Sequence, residues 1–428
     1  MISWELDPFH TRGGTAYAIR RLANQLTGLG IETRVLLPDW LDTPPGKDLA
    51  PLMMPVLVKM RSELRQAPRG LQCGEFCRAA VEAVERIRTR TELDAVIAHS
   101  DEGAMFTILR GAKRSSEPSV FWLHSLYDPP TSDFSIAQRQ LLPSQSLLAS
   151  AVMSADLVVT SSGVLQDAQD FEWPDRLKEL QSALASASAE HRVLTVESMG
   201  CLPAIPNSQD EPIDEANLES PSNVPSPYVL FPSRPSVDKG FGIFAAIAER
   251  LRADNIACVA VQRPTVRSRS GSPSRDASIH WLPWLTQNDL HVAMRNAACT
   301  VMPSITEGFG LAAAESISQG VPTLYQQVGG HHGLPSLPNA LTVPLTTSER
   351  ARLYGLWSEL IDKHADPWSI WARHEASLRP LIDKWVEAVR SAVRRDVGRI
   401  ENVQFPERPE EERWGNKLRH RIEVGGKA

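Results

Sequence analysis

The sequence predicts an α/β protein of two domains, each a parallel sheet covered by helices on both faces. Three observations carry this. Short apolar runs of strand length recur along the chain and alternate with longer helical patterns, the signature of β–α–β units. One segment, Leu202–Pro227 (LPAIPNSQDEPIDEANLESPSNVPSP), is rich in Pro, Ser, Asn and acidic residues and has no sustained apolar period, which is linker composition. A chain of 428 residues also exceeds what one hydrophobic core usually serves. The expected organisation is an N-terminal domain over 1–201, a linker over 202–226, a C-terminal domain over 227–375, and a C-terminal helix and charged tail over 376–428 that pack back on the first domain.

In the first domain the expected strands are Arg34–Leu37, Ala95–Ala98, Val120–Leu123, Leu157–Thr160 and Val193–Val196. In the second they are Tyr228–Phe231, Ala257–Val261, Ile279–Leu282, Thr300–Met302, Thr323–Tyr325 and Leu341–Val343. Each is a short apolar run bounded by turn residues, as a strand buried on both faces requires. Ala16–Leu29 and Gly242–Leu251 carry helical periodicity, as does Trp368–Ile400. Glu401–Ala428 is charge-rich and is expected to be partly disordered. Only Met1–Glu5 precedes the Asp7-Pro8 turn signal, so either the first strand is very short or the chain begins downstream of the natural start.

Composition excludes several classes. A net charge of −6 gives no electrostatic reason to bind nucleic acid or an anionic membrane. No apolar run reaches the length of a membrane span, and the first residues form neither a signal nor a transit peptide. The five cysteines (73, 77, 201, 258, 299) show no zinc spacing. Cys73 and Cys77 read as buried thiols, and the expected compartment is the cytoplasm.

The residues that carry chemistry begin at PSITEGFGLAAAESISQG (303–320). A strand, a Gly-containing turn and a helix together make an anion site, because the first helical turn has unpaired N–H groups and the positive end of the dipole. Gly308-Phe309-Gly310 lets that backbone approach a ligand closely. Glu307 lies on the loop and Glu315 about one turn into the helix, so two carboxylates can each accept hydrogen bonds from a hydroxylated ligand. Upstream, Arg234 and Lys239 are five apart across a strand-to-helix turn and can reach one anion, Arg with a bidentate grip and Lys as a point charge.

These residues resemble the E-x7-E signature of retaining GT-B glycosyltransferases, in particular glycosyltransferase family 4: Pro303-Ser304, Glu307-Gly308-Phe309-Gly310-Leu311, Glu315, Gly320-Val321-Pro322 and Val328-Gly329-Gly330. Tyr228–Arg234 followed by Lys239-Gly240 resembles the opening of that family's donor domain, with Ser233 where glycine is usual. In the first half, Glu5-x-x-Pro8-Phe9 with Gly13-Gly14 resembles the N-terminal glycine loop of glycogen and starch synthases. Phe121-Trp122-Leu123-His124 resembles the strand end whose histidine contacts the donor sugar. Ala98-His99-Ser100-Asp101 and the strand ending at Ser162 are similar to neighbouring strand ends. The loop after Val261 departs from the family, with Arg263 as its one candidate nucleotide contact, and His331-His332 read as loop residues. Trp368, Trp371 and Trp385 read as packing, not as a sugar platform.

The resemblance covers roughly residues 5–345. It implies a GT-B fold, two Rossmann-like domains facing across a cleft with C-terminal helices crossing back. It implies transfer of a sugar from a nucleoside-diphosphate sugar, of GDP or UDP type, with retention and without a required metal or cofactor. His124, Glu307, Arg234 and Lys239 would be catalytic. Gly13, Gly14, Arg234, Lys239, Glu307, Gly308, Phe309, Gly310, Leu311 and Glu315 would hold the donor. The acceptor is expected to be small and soluble, as in natural-product tailoring; oligomeric state is left open. The alternatives are a sugar-nucleotide epimerase of the same fold or a non-catalytic sugar-nucleotide-binding subunit. No G-x-G-x-x-G follows a strand, which disfavours a dehydrogenase.

Overall fold

The computed structural model describes residues 1–3, 14–39, 53–64, 69–113, 117–124, 145–173, 175–196, 226–261, 278–283, 285, 287–362, 367–395 and 414–425. Among these, residues up to 196 together with 414–425 form one compact unit, and 226–395 form another. The segment expected to act as linker lies outside the described residues except for its end.

In the first unit the strands are β1 (Thr33–Pro38), β2 (Met53–Val58), β3 (Val96–His99), β4 (Ser119–Trp122), β5 (Leu157–Ser161) and β6 (Val193–Val196). The helices are α1 (Gly14–Gly28), α2 (Arg69–Arg88), α3 (Ser100–Lys113), α4 (Gln145–Ser154), α5 (Ser162–Asp170) and α6 (Lys178–Ala189). All strand pairs are parallel. Ile2 bridges both Leu36 of β1 and Ala98 of β3, so residues 1–3 are the short central strand that joins β2-β1 to β3-β4-β5-β6. β2 carries Pro55 within the run MMPVLV, a residue that argues against a central strand; it is tolerated because β2 pairs only with β1 in the described sheet. The sequence reading missed it for that reason. α1 lies on this edge through Ile19 and Ala23, which pack with Val35, Leu37 and Met53. Each such fully buried aliphatic side chain contributes about 1.5–3 kcal/mol.

The second unit contains β7 (Tyr228–Phe231), β8 (Ala257–Val261), β9 (Ile279–Leu282), β10 (Cys299–Met302), β11 (Thr323–Tyr325) and β12 (Ala340–Thr342). Its helices are α7 (Phe241–Leu251), α8 (Gln287–Asn296), α9 (Leu311–Ser318), α10 (Thr347–Asp362) and α11 (Pro367–Arg395). The sheet runs β12-β11-β10-β7-β8-β9, all parallel, so the order reverses between β7 and β10. α8 covers one side with Ala293 and Met294 packed on Leu230, Val259 and Leu282, and the Tyr228 hydroxyl donates to the Ala293 carbonyl (2.6 Å).

The 29-residue α11 packs on α7, where Trp371 lies against Gly242, and Trp385 is fully buried. Residues 376–395 thus belong to the second unit, whereas α12 (Trp414–Gly425) packs with α1 in the first, its Leu418 fully buried. The tail expected to be partly disordered holds this helix, whose sequence WGNKLRHRIEVG mixes Leu418, Ile422 and Val424 with basic residues.

Candidate functional site

Ligands bind to open parallel sheets beyond the carboxyl ends of the strands, at the point where strand order reverses. In the second unit that point lies between β7 and β10. The turn after β7 carries Arg234, Asp238 and Lys239; the turn after β10 carries Ser304 and Glu307. The two turns are stitched together by backbone bonds from the Ile305 and Thr306 N–H groups to the Asp238 carbonyl (2.8 and 3.4 Å).

The Lys239 ammonium donates to both oxygens of Glu307, at 3.0 and 2.9 Å. Their side chains are 20% and 14% exposed, so the pair is shielded yet reachable from solvent. Asp238, only 3% exposed, lies 3.9 Å from Lys239 and 3.8 Å from Arg234. It therefore holds two like-charged side chains beside each other, each drawn to one carboxylate. Burial pushes the Glu307 carboxyl up, but the neighbouring Lys239 ammonium and His331 outweigh it and hold it below the usual carboxylate range. Burial likewise lowers Lys239, and the carboxylates of Glu307 and Asp238 reverse this to a net rise. Both groups are charged at neutral pH.

The α9 helix begins at Gly310, whose φ of 65° is left-handed. Gly310 has no side chain with which to cap the helix. Gly329 has φ of 48°, and a Cβ on it would run into the Glu307 carbonyl oxygen. The Gly330 N–H donates to that same carbonyl (3.1 Å). The Val328-Gly329-Gly330 motif thus works as a backing for the Glu307 turn. Glu315 is half-buried on the second turn of α9. Beneath it, the hydroxyls of Thr300, Ser316 and Thr323 form a buried cluster (2.6–3.1 Å) that pins α9 to β10 and β11.

His331 differs from its expected role as a loop residue. It lies in a helical turn over Gly329–Gly333 and is 2% exposed. Its Nδ1 is 2.8 Å from the Gln326 carbonyl oxygen. Burial pulls its pKa down despite the Glu307 carboxylate, which acts the other way. Sequence reading missed it and Asp238. The available signal was Gly329-Gly330 itself, since a close backbone approach buries whatever follows it.

The first unit holds a different cluster. His99 ends β3 and His124 follows β4, and His99 Nδ1 lies 2.9 Å from His124 Nε2. They are 1% and 5% exposed. The His124 ring stacks on Trp122 (5.0 Å, 10°). Burial pushes His124 down to about 3, and burial with the His124 neighbour lowers His99 further below its ordinary value. Both rings are neutral at pH 7.

The structure thus brings Arg234, Lys239 and Glu307 together and places Gly308, Phe309, Gly310 and Leu311 at the start of α9. It groups His124 with His99. Gly14 opens α1, Asp101 is the second residue of α3, and Ser162 opens α5. Gly13, Arg263 and the loop over 262–276 lie outside the described residues, as does Cys201; Cys73, Cys77, Cys258 and Cys299 are buried and none is in a disulfide. Among the described residues, no cluster of three or more His, Cys, Asp or Glu could hold a metal, and no helix is long and apolar enough to cross a membrane.

Residues 262–391 match the family model described as GT4-conflict, family 4 glycosyltransferase in conflict systems. A curated relative, the uncharacterized glycosyltransferase YqgM of Bacillus subtilis (strain 168), is 42% identical over 52 residues. That match spans 12% of this chain and 14% of the relative's length, far less than two thirds of it. Among solved structures, the catalytic domain of starch synthase IV from Arabidopsis thaliana, bound to ADP and acarbose, superposes with a TM-score of 0.60. It is 16% identical and covers 90% of this chain and 98% of its own. Sucrose-phosphate synthase from Thermosynechococcus elongatus superposes with a TM-score of 0.55 at 16% identity, over 92% of this chain and 94% of its own. The architecture of two parallel α/β units is that of GT-B glycosyltransferases.

Proposed function

We propose, from the premise of a GT-B chain of glycosyltransferase family 4 type, that this protein moves a sugar from a nucleoside-diphosphate sugar to a small soluble acceptor with retention at the anomeric carbon. The observation that carries the reading is the cation pair at the strand-order reversal: Lys239 held by both oxygens of Glu307, with Arg234 beside it across Asp238. A diphosphate leaving group needs more than one cation and a set of N–H donors, and Arg234, Lys239 and the uncapped start of α9 are those groups.

The mechanism follows from what each group can do. In the ligand-free protein the Glu307 carboxylate neutralises Lys239. A diphosphate entering beside Arg234 offers the ammonium new acceptors, and Glu307 is released to accept hydrogen bonds from donor-sugar hydroxyls. Glu315 accepts from the ribose hydroxyls. As the bond from the anomeric carbon to the diphosphate oxygen breaks, the growing charge falls on Arg234, Lys239 and the N–H groups after Glu307. The acceptor attacks from the same face, and its proton passes to the leaving phosphate oxygen. The neutral His124 remains the first unit's candidate residue for the acceptor. The chemistry calls on no metal and no cofactor. The natural setting of a small acceptor would be tailoring of a natural product in the cytoplasm; the conflict-system description of the matching family is the competing setting.

The test is nucleotide binding by thermal shift with UDP, GDP, ADP and dTDP on the wild type and on Glu315→Ala. One nucleotide should raise the melting temperature of the wild type and not of the variant. Turnover with the matching donor should then fall about a hundredfold in Glu307→Ala. A wild type that no nucleotide shifts would sink the donor-site assignment.

A further inference from the structure

The Glu307 turn is held from two sides. On one side the Asp238 carbonyl accepts from Ile305 and Thr306. On the other side stands the segment after β11, and it is centred on Gln326. The Gln326 side chain, fully buried, donates from Nε2 to the Ser304 carbonyl (2.8 Å) and accepts from Trp385 Nε1 of α11 (3.3 Å). Its backbone carbonyl accepts from the Val328 N–H (3.0 Å) and from His331 Nδ1 (2.8 Å).

A carbonyl can only accept, so Nδ1 of His331 carries the hydrogen and Nε2 of the neutral ring keeps its lone pair. The Cδ2–Nε2 edge of that ring occupies the space beside Gly310, where any Cβ would strike it. Tyr325 meets the ring edge-on at 5.5 Å. His331 therefore touches Gly310, which precedes α9 and lies next to the phenylalanine and three positions from the glutamate of the turn, while its other edge is bonded to the hub that also grips Ser304.

We propose that His331 is a positioning residue for the donor pocket. Its Nδ1–H bond to Gln326 fixes the ring under Gly310, and the ring holds the 307–310 turn so that the Glu307 carboxylate and the first N–H groups of α9 keep the orientation in which a nucleotide sugar meets them. The inference rests on the donor-site reading for its consequence in binding, but not for its geometry. The role is a backing one: the residue acts through Glu307 and the start of α9 and need not touch the ligand.

The experiment compares the full-length wild type with His331→Ala, His331→Phe and His331→Asn. Phenylalanine keeps the ring and loses the bond; asparagine keeps a donor for the Gln326 carbonyl and loses most of the ring. Amide hydrogen exchange of the peptide covering 303–312 is read first, without ligand. Exchange there should accelerate about tenfold in the alanine and phenylalanine variants and return toward wild type in the asparagine variant, while peptides of β7 and β8 stay unchanged. Affinity for UDP, GDP or ADP, by calorimetry, should fall about tenfold in the first two and recover in the third. Wild-type exchange over 303–312 in His331→Ala would overturn the proposal. So would His331→Phe behaving as wild type in both readings, since the ring would then be mere filling, or asparagine performing no better than phenylalanine. If the wild type binds none of the nucleotides, the donor reading fails, and the exchange result alone decides for or against His331.

Discussion

The first unit and the second solve the same topological problem with opposite chemistry. Each is an all-parallel sheet, and each sets polar side chains at the ends of strands beside the reversal of strand order. In the second unit those side chains are charged and interlocked: Arg234, Asp238, Lys239 and Glu307 form a chain of alternating signs. In the first unit they are two neutral imidazoles, His99 and His124, bonded to each other, with His124 stacked on Trp122 and His99 tilted against it. Under the proposed function, the paired cations of the second unit are the groups that would exchange a carboxylate partner for a phosphate. A neutral aromatic site suits uncharged hydroxylated groups. The difference teaches that the strand-end position fixes only where a ligand goes, and the side chains decide its class.

The comparison breaks most sharply at Lys239. Replacing it with alanine leaves Glu307 shielded from water without the cation that outweighs its burial, a loss of about 3–5 kcal/mol for a well-buried pair and less at the present partial exposure. Nucleoside-diphosphate affinity should fall roughly a hundredfold, since two charge-assisted bonds of about 1.5 kcal/mol or more are lost. The pH dependence carries the sign. In the wild type Glu307 is held below its ordinary value, so its contribution is present above the unfolded carboxylate pKa and lost as pH falls through the folded one. In Lys239→Ala the largest opposing influence on burial is gone and only His331 and the Ser304 side chain still act against it, so the folded value rises, and the variant loses stability at neutral pH relative to the wild type and regains it on acidification. The gap in melting temperature between the two proteins should be wide at pH 7.5 and narrow below about pH 4.5. A gap that stays constant over that range would mean that Glu307 is not charged against Lys239.

Gly329→Ala sharpens the same contrast by attacking backbone instead of charge. The left-handed φ of 48° costs an L-residue about 1–2 kcal/mol, and the collision with the Glu307 carbonyl adds about 1–3 kcal/mol. The chemical-denaturation midpoint should fall accordingly, with nucleotide binding lost in the same variant. Retention of full binding despite lower stability would show that the Glu307 turn does not depend on its backing.

How much of this was legible follows from what each residue does. The strands of both sheets are apolar runs whose period reports burial directly, and most of their limits are correct to within a residue. That Arg234, Lys239 and Glu307 come near one another was readable, because each follows closely after a strand, β7 or β10, whose limits the apolar runs report. β2 was not, because Pro55 is a mark against a strand until the sheet edge is known. The helix over 414–425 was not, because its apolar residues are few and lie within a charge-rich tail. Asp238 and His331 were not, because their roles arise where segments distant in sequence meet: Asp238 with the turn after β10, His331 with Gly310 and Gln326. Spacing along one segment cannot report such a meeting.

The smallest expected effect tests the neutral site. His99→Phe removes one partner of the buried imidazole pair, leaving His124 Nε2 facing a phenyl ring, at a cost of about 1–3 kcal/mol. The double variant His99→Phe/His124→Phe removes both polar groups and should cost less than the sum of the two single variants, because nothing unpaired is then buried. Acid titration separates this from simple repacking. Both histidines have folded pKa values below the ordinary 6.5, so their neutral burial contributes stability above that value. This stability drains away as pH falls from about 6.5 toward 3, where His124 itself takes a proton. Denaturant unfolding of the wild type should therefore weaken steeply between pH 6.5 and 4, and the double variant should show a shallower slope over the same interval. Equal slopes would mean that one of the imidazoles is already protonated in the folded protein, and the first unit's site would then be a charged one, like the second.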